Sequence, residues 1–387
     1  MTFANARLIL PDEIVRGGLT VRDGRIAQIN RSPGRARRRN SVIDLAGGYL
    51  APGFIDLHIH GGVGRDTMEA SASAFRTITE FHLRGGTTSV ALTTVTAPEK
   101  DIVLVLEAAK PWLGRSLGGS RIIGIHIEGP FISREKPGAQ NPRFIRPPEA
   151  GEWQKYLRFG SLVTEMTLAP EIPGALTLIR ALRKNGTIAS GGHTNAAEDD
   201  LQPALKAGLN HSTHTFNAMS VATRRGPFRV AGMLEFALAH REICCELIAD
   251  GVHVAPTLMK MLFNAKGADG VCLITDATGG AGLKPGTLFQ VGGVSARVTE
   301  HAALTADGSA LAGSTLTMIE AVRRAVQLGG ASLVNAVRMA ALTPARQLGR
   351  EHELGSIDNG KRADLVWFDD EFNVRGVWLD GDLRFLA

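Results

Sequence analysis

The 387-residue chain is poor in the features that mark secreted and membrane proteins. Its three cysteines, Cys244, Cys245 and Cys272, form no C-x-x-C pair, which argues against a disulfide framework and indicates buried thiols of a reducing compartment. No apolar run approaches the roughly 18 uncharged residues that a membrane span needs. The N-terminus, MTFANARLILPDEIV, lacks a basic segment followed by a long apolar one, which argues against a secretory signal. We therefore expect a cytoplasmic protein with no membrane partner.

Aromatic residues are also scarce, at 5% of the chain, and this bears on its excess of positive charge. The formal net charge is +5, and much of it lies in RSPGRARRRN, residues 31–40. No aromatic residue lies between these arginines, so the stretch favours a solvated loop over a nucleic-acid surface. An anionic-surface patch remains the alternative, and we expect no nucleic-acid partner. The mild positive field would favour an anionic small substrate.

The two ends of the chain differ in pattern from its middle. Residues 1–50 and 346–387 contain short strand-like segments separated by D-G and G-G turns, which predicts one small β-sandwich domain built from both termini. Residues 51–345 alternate apolar strand-like segments with helical patterns. Eight such strands with helical crossovers predict a (β/α)8 TIM-like barrel, so the fold class is α/β. The strands are expected near 54–60, 87–95, 121–128, 162–169, 186–193, 209–215, 243–249 and 271–276.

After the eighth strand the pattern changes again. A glycine-rich, strand-like insert is expected over 280–311, followed by two helices, STLTMIEAVRRAVQLG and SLVNAVRMAAL. Pro344 is expected to end the second of these helices, close to the boundary with the terminal domain.

Polar side chains of the kinds that bind metals follow most of the predicted barrel strands. In such barrels catalytic groups lie at the carboxyl ends of the strands. His58 and His60 are two residues apart on a strand and therefore share one face. The groups at the other strand ends are His126, Glu128, His193, His211, His214, Asp250 with His253, and Asp276.

The coincidence of ligand-type residues at five of these strand ends favours a metal site, although each residue alone is a weak signal. Imidazole and carboxylate groups bind zinc, iron and other divalent metals, and Glu128 can bridge two ions. A bound metal would acidify water and polarise a carbonyl, with Asp276 as the proton shuttle. His126 and His211 are interpreted as supporting or structural groups. The histidines away from the strand ends are interpreted as background; they are His82, His240, His301 and His352.

Eight motifs together resemble a known enzyme family. In order and spacing, the motifs from residue 44 to the C-terminus are similar to those of N-acetylglucosamine-6-phosphate deacetylases of the amidohydrolase superfamily. They are PGFIDLHIHGG, HIEGPFIS, KPGAQNP, SGGHTNA, NHSTHTFNAM, ADGVHV, LITDAT and LAGSTLTMIEAVR. The resemblance implies a barrel with a small β-sandwich, a homodimer, and hydrolysis of N-acetylglucosamine 6-phosphate to glucosamine 6-phosphate and acetate in amino-sugar catabolism or cell-wall recycling.

The resemblance also assigns roles to individual residues. It implies Glu128, His193 and His214 as metal ligands, His58 and His60 for a second ion, and Asp276 as the catalytic acid/base beside the metal. Two divalent ions per subunit (Zn, Fe, Mn or Co) are expected. Arg225 would reach the phosphate in the partner subunit's site. The implied substrate contacts are Ala139, Gln140, Asn217, Ala218, Arg225, His253, Leu311, Ala312 and Gly313.

Two departures from the family pattern bear on these roles. Single-metal members of the family lack H-x-H on the first strand and have a histidine where this chain has Gln140, so the chain resembles the two-metal kind. The segment TRRGPFR offers Arg224, Arg225 and Arg229, and the count from Asn217 favours Arg225.

Three alternatives remain open on the sequence. A deacetylase of N-acetylgalactosamine 6-phosphate would carry the same motifs. A catalytically inactive barrel acting as a binding scaffold would be expected to have lost ligands, and none is lost. A cyclic amidase of the dihydroorotase kind would place a modified lysine on the fourth strand, where LVTEMTLAPE has none.

Overall fold

The structure is a computed structural model that describes residues 1–31, 42–300 and 302–387. Almost all of the basic stretch 31–40, and His301, lie outside the described residues. None of the helices in the described part of the chain is long and apolar enough to cross a membrane.

Eight parallel strands form the central sheet, which confirms the predicted barrel. Each strand is almost wholly buried, since the sheet has helices outside it and its own side chains within. In chain order the strands are β1 Phe54–Ile59, β2 Thr87–Thr94, β3 Arg121–Glu128, β4 Val163–Leu168, β5 Ile188–Gly191, β6 His211–Ser212, β7 Cys244–Ile248 and β8 Val271–Ile274.

Backbone bonds just beyond β1 and β8 close the barrel at its carboxyl end. The amide of His60 donates to the carbonyl of Ala277 at 2.8 Å, and the amide of Asp276 donates to the carbonyl of His58 at 2.8 Å. The carboxylate of Asp56 also accepts a bond from the Thr275 hydroxyl at 2.6 Å. These bonds bring the predicted acid/base, Asp276, beside the two histidines of β1.

Amphipathic helices cover the outside of the barrel. The first helix shows the cause: Ser71 caps it by accepting from the Ala74 amide at 3.2 Å, and Phe75, Ile78 and Leu83 recur on its buried face. The helices are α1 Ala72–Arg84, α2 Glu99–Ala109, α3 Ala150–Leu157, α4 Ala175–Lys184, α5 Glu198–Ala207, α6 Met233–Ala239, α7 Pro256–Lys266, α8 Met318–Gln327, α9 Leu333–Ala340 and α10 Leu342–Gln347.

The prediction that Pro344 ends the second helix after the insert was wrong. That helix, α9, already ends at Ala340, and Pro344 lies in the first turn of the short helix α10. Proline is tolerated there because the first amides of a helix have no partner within the helix.

Strands from both ends of the chain share a second sheet. Its hydrogen-bonded order runs from the C-terminal strands through Tyr49–Pro52 to the N-terminal ones. Its core includes Phe3 and Trp378, whose rings meet edge to face at 4.8 Å. The boundaries between this terminal domain and the barrel, predicted between residues 50 and 51 and between residues 345 and 346, stay a prediction. The strands are Thr2–Ile9, Ile14–Arg22, Arg25–Asn30, Val42–Asp44, Tyr49–Pro52, Leu365–Phe368, Val374–Leu379 and Asp382–Leu386.

A buried ion cluster joins this sheet to the bottom of the barrel. Arg121, the first residue of β3, donates to Asp364 at 2.5 Å and to Asp380 at 2.7 Å. Only 3% of the Arg121 side chain is exposed, so its charge depends on these two carboxylates.

The remaining strands lie near the mouth of the barrel. The glycine-rich insert forms a three-stranded antiparallel sheet of Leu288–Val291, Val294–Val298 and Ala303–Thr305. Its small core, with Phe289 and Val298, packs against Val95 at the end of β2. Two hairpins complete the set, Gly61–Gly62 with Arg65–Asp66 and Thr223–Arg225 with Phe228–Val230.

Candidate metal and substrate site

The structure brings six of the sequence-predicted metal-site residues together at the carboxyl end of the barrel. They form two sets of three residues, and the ligand atoms within each set lie within 4.8 Å of one another. One set is Glu128, His193 and His214, and the other is His58, His60 and Asp276.

Glu128 lies between the two sets. Its Oε1 atom is 3.1 Å from His193 Nε2 and 3.0 Å from His214 Nε2. Its Oε2 atom is 3.3 Å from Nε2 of His60. Asp276 Oδ1 is 3.3 Å from the same His60 nitrogen. A carboxylate with one oxygen toward each set has the arrangement of a bridging ligand.

Hydrogen bonds behind the rings of His58 and His193 fix which of their nitrogens faces the cluster. The Nδ1 atom of His58 lies 3.1 Å from Glu246 Oε2, and that of His193 lies 2.9 Å from the Lys136 carbonyl. Each acceptor requires a proton on Nδ1, which leaves Nε2 with a free lone pair. The Nε2 atoms then face one another, at 3.2 Å between His58 and His60. Such lone pairs repel unless a cation or proton lies between them, so the donor set fits divalent metal ions.

The charges of the cluster hold protons on His58 and His60 when no metal is bound. Burial lowers the pKa of His60, but Asp276 and Glu128 outweigh it and raise that pKa to about 9. Burial likewise lowers the pKa of His58, and the charge of Glu246, followed by Glu128 and Asp276, raises it above its usual range. For Glu128, burial raises the pKa, and the neighbouring histidines bring it well below the usual value.

Three of the six residues have a left-handed backbone. The φ angles are +47° at His193, +29° at His214 and +47° at Asp276. Residues other than glycine rarely adopt this region, and the cost is of order 1–3 kcal/mol each. Such strain persists where the surroundings require one direction of the side chain, and here all three side chains face the cluster.

A cavity of about 220 Å³ opens above the cluster. Its wall includes eight of the nine predicted substrate contacts: Ala139, Gln140, Asn217, Ala218, His253, Leu311, Ala312 and Gly313. His60, Glu128, His193, His214 and Asp276 also line it, so the ligand atoms face the space that a small molecule would fill.

Two polar side chains on the cavity wall have fixed orientations. The amide nitrogen of Gln140 donates to Glu128 Oε2 at 2.5 Å, and its oxygen accepts from the Thr96 amide at 2.7 Å. His253 Nδ1 donates to Asp250 at 2.6 Å. Nε2 of His253 is therefore the nitrogen left to meet a ligand.

Arg225 is the predicted site residue that the fold does not bring to this cavity. It lies at the tip of an exposed hairpin, with 53% of its side chain exposed, and pairs with Asp199 at 3.1 Å. The neighbouring Phe228 is 72% exposed, an unusual position for a large apolar ring.

The histidines outside the predicted ligand set have other contacts. His126 bonds to the Thr167 hydroxyl at 2.7 Å and packs against His58, and His211 pairs with Glu165 at 3.0 Å. His82 donates to the carbonyl of Gly61 at 3.0 Å. His240 follows α6 and His352 is exposed on a turn, and neither lines the cavity.

Sequence reasoning missed two groups of site residues. Glu246 is fully buried, accepts from the His214 amide at 3.0 Å and orients His58. The available signal was a carboxylate within the apolar strand CCELI. The cavity wall also includes Val95, Thr278, Val291 and Ala310, whose apolar or neutral side chains carry no such signal.

The chain is similar to known proteins over nearly its whole length. The model of the "Amidohydrolase family" matches residues 49–384. An N-acetylglucosamine-6-phosphate deacetylase of Bacillus subtilis is 37% identical over 98% of this chain and 96% of its own. An N-acetylgalactosamine-6-phosphate deacetylase of Shewanella is 37% identical over 89% of this chain and 85% of its own.

A solved structure has the same overall fold. It is a mutant N-acetyl-D-glucosamine-6-phosphate deacetylase of Mycobacterium smegmatis in complex with N-acetyl-D-glucosamine-6-phosphate. Its TM-score is 0.91 at 30% identity, with 99% of each chain covered.

Proposed function

Since the chain belongs to the amidohydrolase family, we propose that it hydrolyses the acetamide of N-acetylglucosamine 6-phosphate to glucosamine 6-phosphate and acetate. The observation that carries the proposal is that Asp276 and two sets of metal-ligand side chains, with Glu128 between them, lie at the floor of one cavity. The name of the Bacillus subtilis relative and the ligand of the Mycobacterium smegmatis structure support this substrate.

Two divalent ions per subunit, of zinc, iron, manganese or cobalt, are part of the proposal. Glu128, His193 and His214 would hold one ion, and His58, His60 and Asp276 the other, with Glu128 shared. Divalent ions in such a site supply Lewis acidity for the carbonyl oxygen and a lowered pKa for water.

Asp276 is proposed to move the proton. Its carboxylate faces the cavity, and although burial raises its pKa, the charges of His58 and His60 lower it below the usual value. An ionised carboxylate can take the proton of the attacking water and then give it to the leaving nitrogen, which would otherwise be too basic to depart. Gln140, held between Glu128 and Thr96, would keep the shared carboxylate in its orientation.

The sugar phosphate is proposed to bind between His253 and an arginine of a second subunit. His253 is oriented by Asp250, and Arg225 lies on an exposed hairpin that could extend into a partner's cavity in a homodimer. Charge-assisted bonds to the phosphate would position the amide for attack. A cytoplasmic location is part of the same proposal.

Mixing two defective variants tests the shared site. Asp276→Asn alone should be inactive, and Arg225→Ala alone should have a raised KM. In a heterodimer, the Arg225→Ala subunit keeps its own Asp276 and receives Arg225 from the Asp276→Asn subunit, so one of the two cavities is complete. Remixing should therefore restore turnover at low substrate concentration. If the mixture shows only the sum of the activities of the two separate variants, Arg225 does not reach into the partner's cavity.

N-acetylgalactosamine 6-phosphate is the second candidate substrate, because the Shewanella relative has the same 37% identity as the Bacillus one, although over a smaller share of the chain. Acetate release from both sugar phosphates and from unphosphorylated N-acetylglucosamine, with the metal-loaded protein, separates the candidates. We expect the highest kcat/KM for N-acetylglucosamine 6-phosphate. Asp276→Asn should lose turnover while it retains the ion held by Glu128, His193 and His214. No acetate from any of these sugars would support the inactive-scaffold alternative.

A further inference from the structure

A second group of metal-ligand side chains lies inside the barrel, outside the proposed catalytic sets. A His211 ring nitrogen and the sulfurs of Cys244 and Cys272 lie within 4.8 Å of one another, and all three residues are fully buried or nearly so. The two sulfurs are 3.5 Å apart. None of these residues has a part in the proposed hydrolysis.

The register of the strands explains why these side chains meet. His211 of β6 pairs with Cys244 of β7, and Cys272 of β8 pairs with Glu246, two residues beyond Cys244. Residues two apart on a strand share a face, and Glu246 faces the interior because it contacts His58. All three side chains therefore face the barrel interior, while the alternation turns Cys245 to the opposite face.

Buried polar atoms without a partner mark this group as incomplete. His211 Nδ1 lies 3.0 Å from Glu165 Oε1, but its Nε2 atom has no hydrogen-bond partner among the described residues. The same holds for Oε2 of Glu165 and Oε1 of Glu246, both on fully buried side chains. Leaving a buried polar atom without a partner costs about 1–3 kcal/mol, and more for a charged group.

We propose that His211, Cys244 and Cys272 bind a further metal ion of the zinc class, separate from the catalytic ions. Thiolate sulfur and imidazole nitrogen are the donor atoms that zinc prefers, and the three residues would fill three of its four tetrahedral positions. At a zinc–sulfur distance of about 2.3 Å, two thiolates of a tetrahedral site lie about 3.8 Å apart, close to the separation in this chain. The Glu165 carboxylate orients the histidine, as in many zinc sites.

The ion would stabilise the weakest part of the barrel sheet. Strand β6 has two residues and pairs with each neighbour through two residues only. It leads directly to His214, and β8 leads to Asp276. A metal bound to β6, β7 and β8 would therefore fix the strands that position His214 and Asp276. Two thiolates would neutralise the charge of a divalent ion.

Cobalt substitution tests the site with a readout that is independent of activity. Protein freed of metal under reducing conditions is reloaded with Co²⁺, and the near-ultraviolet thiolate-to-cobalt charge-transfer absorption is recorded. We expect the band in the wild type, in Cys245→Ser, the matched control, and in the double variant His58→Ala with His60→Ala. Cys244→Ser and Cys272→Ser should lose the band and one equivalent of bound metal.

Each outcome decides the proposal, even if one variant fails to fold. A band in both the wild type and Cys245→Ser supports it, because Cys244 and Cys272 are then the remaining thiols. A wild type without the band, or a band that Cys245→Ser removes, overturns it. Thiol titration of unreduced, denatured Cys245→Ser that finds no free thiol would indicate a disulfide between Cys244 and Cys272, and would also overturn the proposal.

Discussion

Metal binding at the mouth of the barrel should depend steeply on pH, because the ions and protons compete for the same nitrogens. The pKa of His60 is raised to about 9 by Asp276 and Glu128 in the metal-free cluster. Below that pH the nitrogen holds a proton, and a divalent ion must displace it. Affinity should therefore reach its limit above about pH 9 and fall as the pH is lowered.

The size of the effect follows from the pKa. Each pH unit below about 9 costs about 1.4 kcal/mol for one displaced proton, so at pH 7 the affinity should be about 100-fold weaker than its limit. His58, whose pKa also lies above its usual range, would add a second proton and steepen the dependence. The predicted slope is thus between one and two tenfold changes per pH unit.

Chelator competition with Zn²⁺ at several pH values between about 6.5 and 8.5 measures this slope. Calorimetry in buffers of different ionisation enthalpy counts the released protons directly. His60→Asn should lose one proton from the count, whereas His240→Asn, at a residue away from the cavity, should behave as the wild type. An affinity that stays constant over this range would refute the competition.

Three further predictions address the phosphate site, the domain contact and the ligand geometry. Arg225→Ala should raise KM for the phosphorylated sugar with little change in kcat, and Arg224→Ala should not, in steady-state kinetics. Arg121→Met should lower the free energy of unfolding by about 3–5 kcal/mol in urea titrations, because it removes the main charge partner of the buried Asp364 carboxylate, while Asp380 keeps its bonds to Arg362. Gly138→Ala should reduce bound metal, measured by elemental analysis: φ is +55° there, and the added Cβ would lie 3.0 Å from the His193 ring.

Most of the barrel could be predicted from the sequence because its strands are apolar and end in polar residues. The eight strands, the insert and the family resemblance were confirmed. The lengths of the strands were less predictable. The sixth strand was expected over 209–215, but β6 contains only His211–Ser212. The residues that follow it, including His214, form a turn instead.

The part of the candidate site that could be predicted is the part that uses distinctive residue types for metal binding and proton transfer. Imidazoles and carboxylates at strand ends stand out in a sequence, whereas wall residues such as Val95 and Val291 do not. The insert that supplies Val291 is held against Val95 by a small apolar core that includes Phe289 and Val298. The partner of Arg225 was equally unpredictable, because Asp199 belongs to a different element, the first turn of α5.

Glu246 connects the cluster at the mouth with the group deeper in the barrel. One oxygen accepts from His58 Nδ1 at 3.1 Å and from the His214 amide at 3.0 Å, while the other oxygen has no partner among the described residues. A fully buried carboxylate is costly unless positive charge compensates it. The imidazoles above it can supply that charge only as protons or as bound cations. The apolar strand that contains Glu246 can therefore hold a carboxylate because the imidazoles on the same face of the barrel can bind protons or cations that compensate its charge.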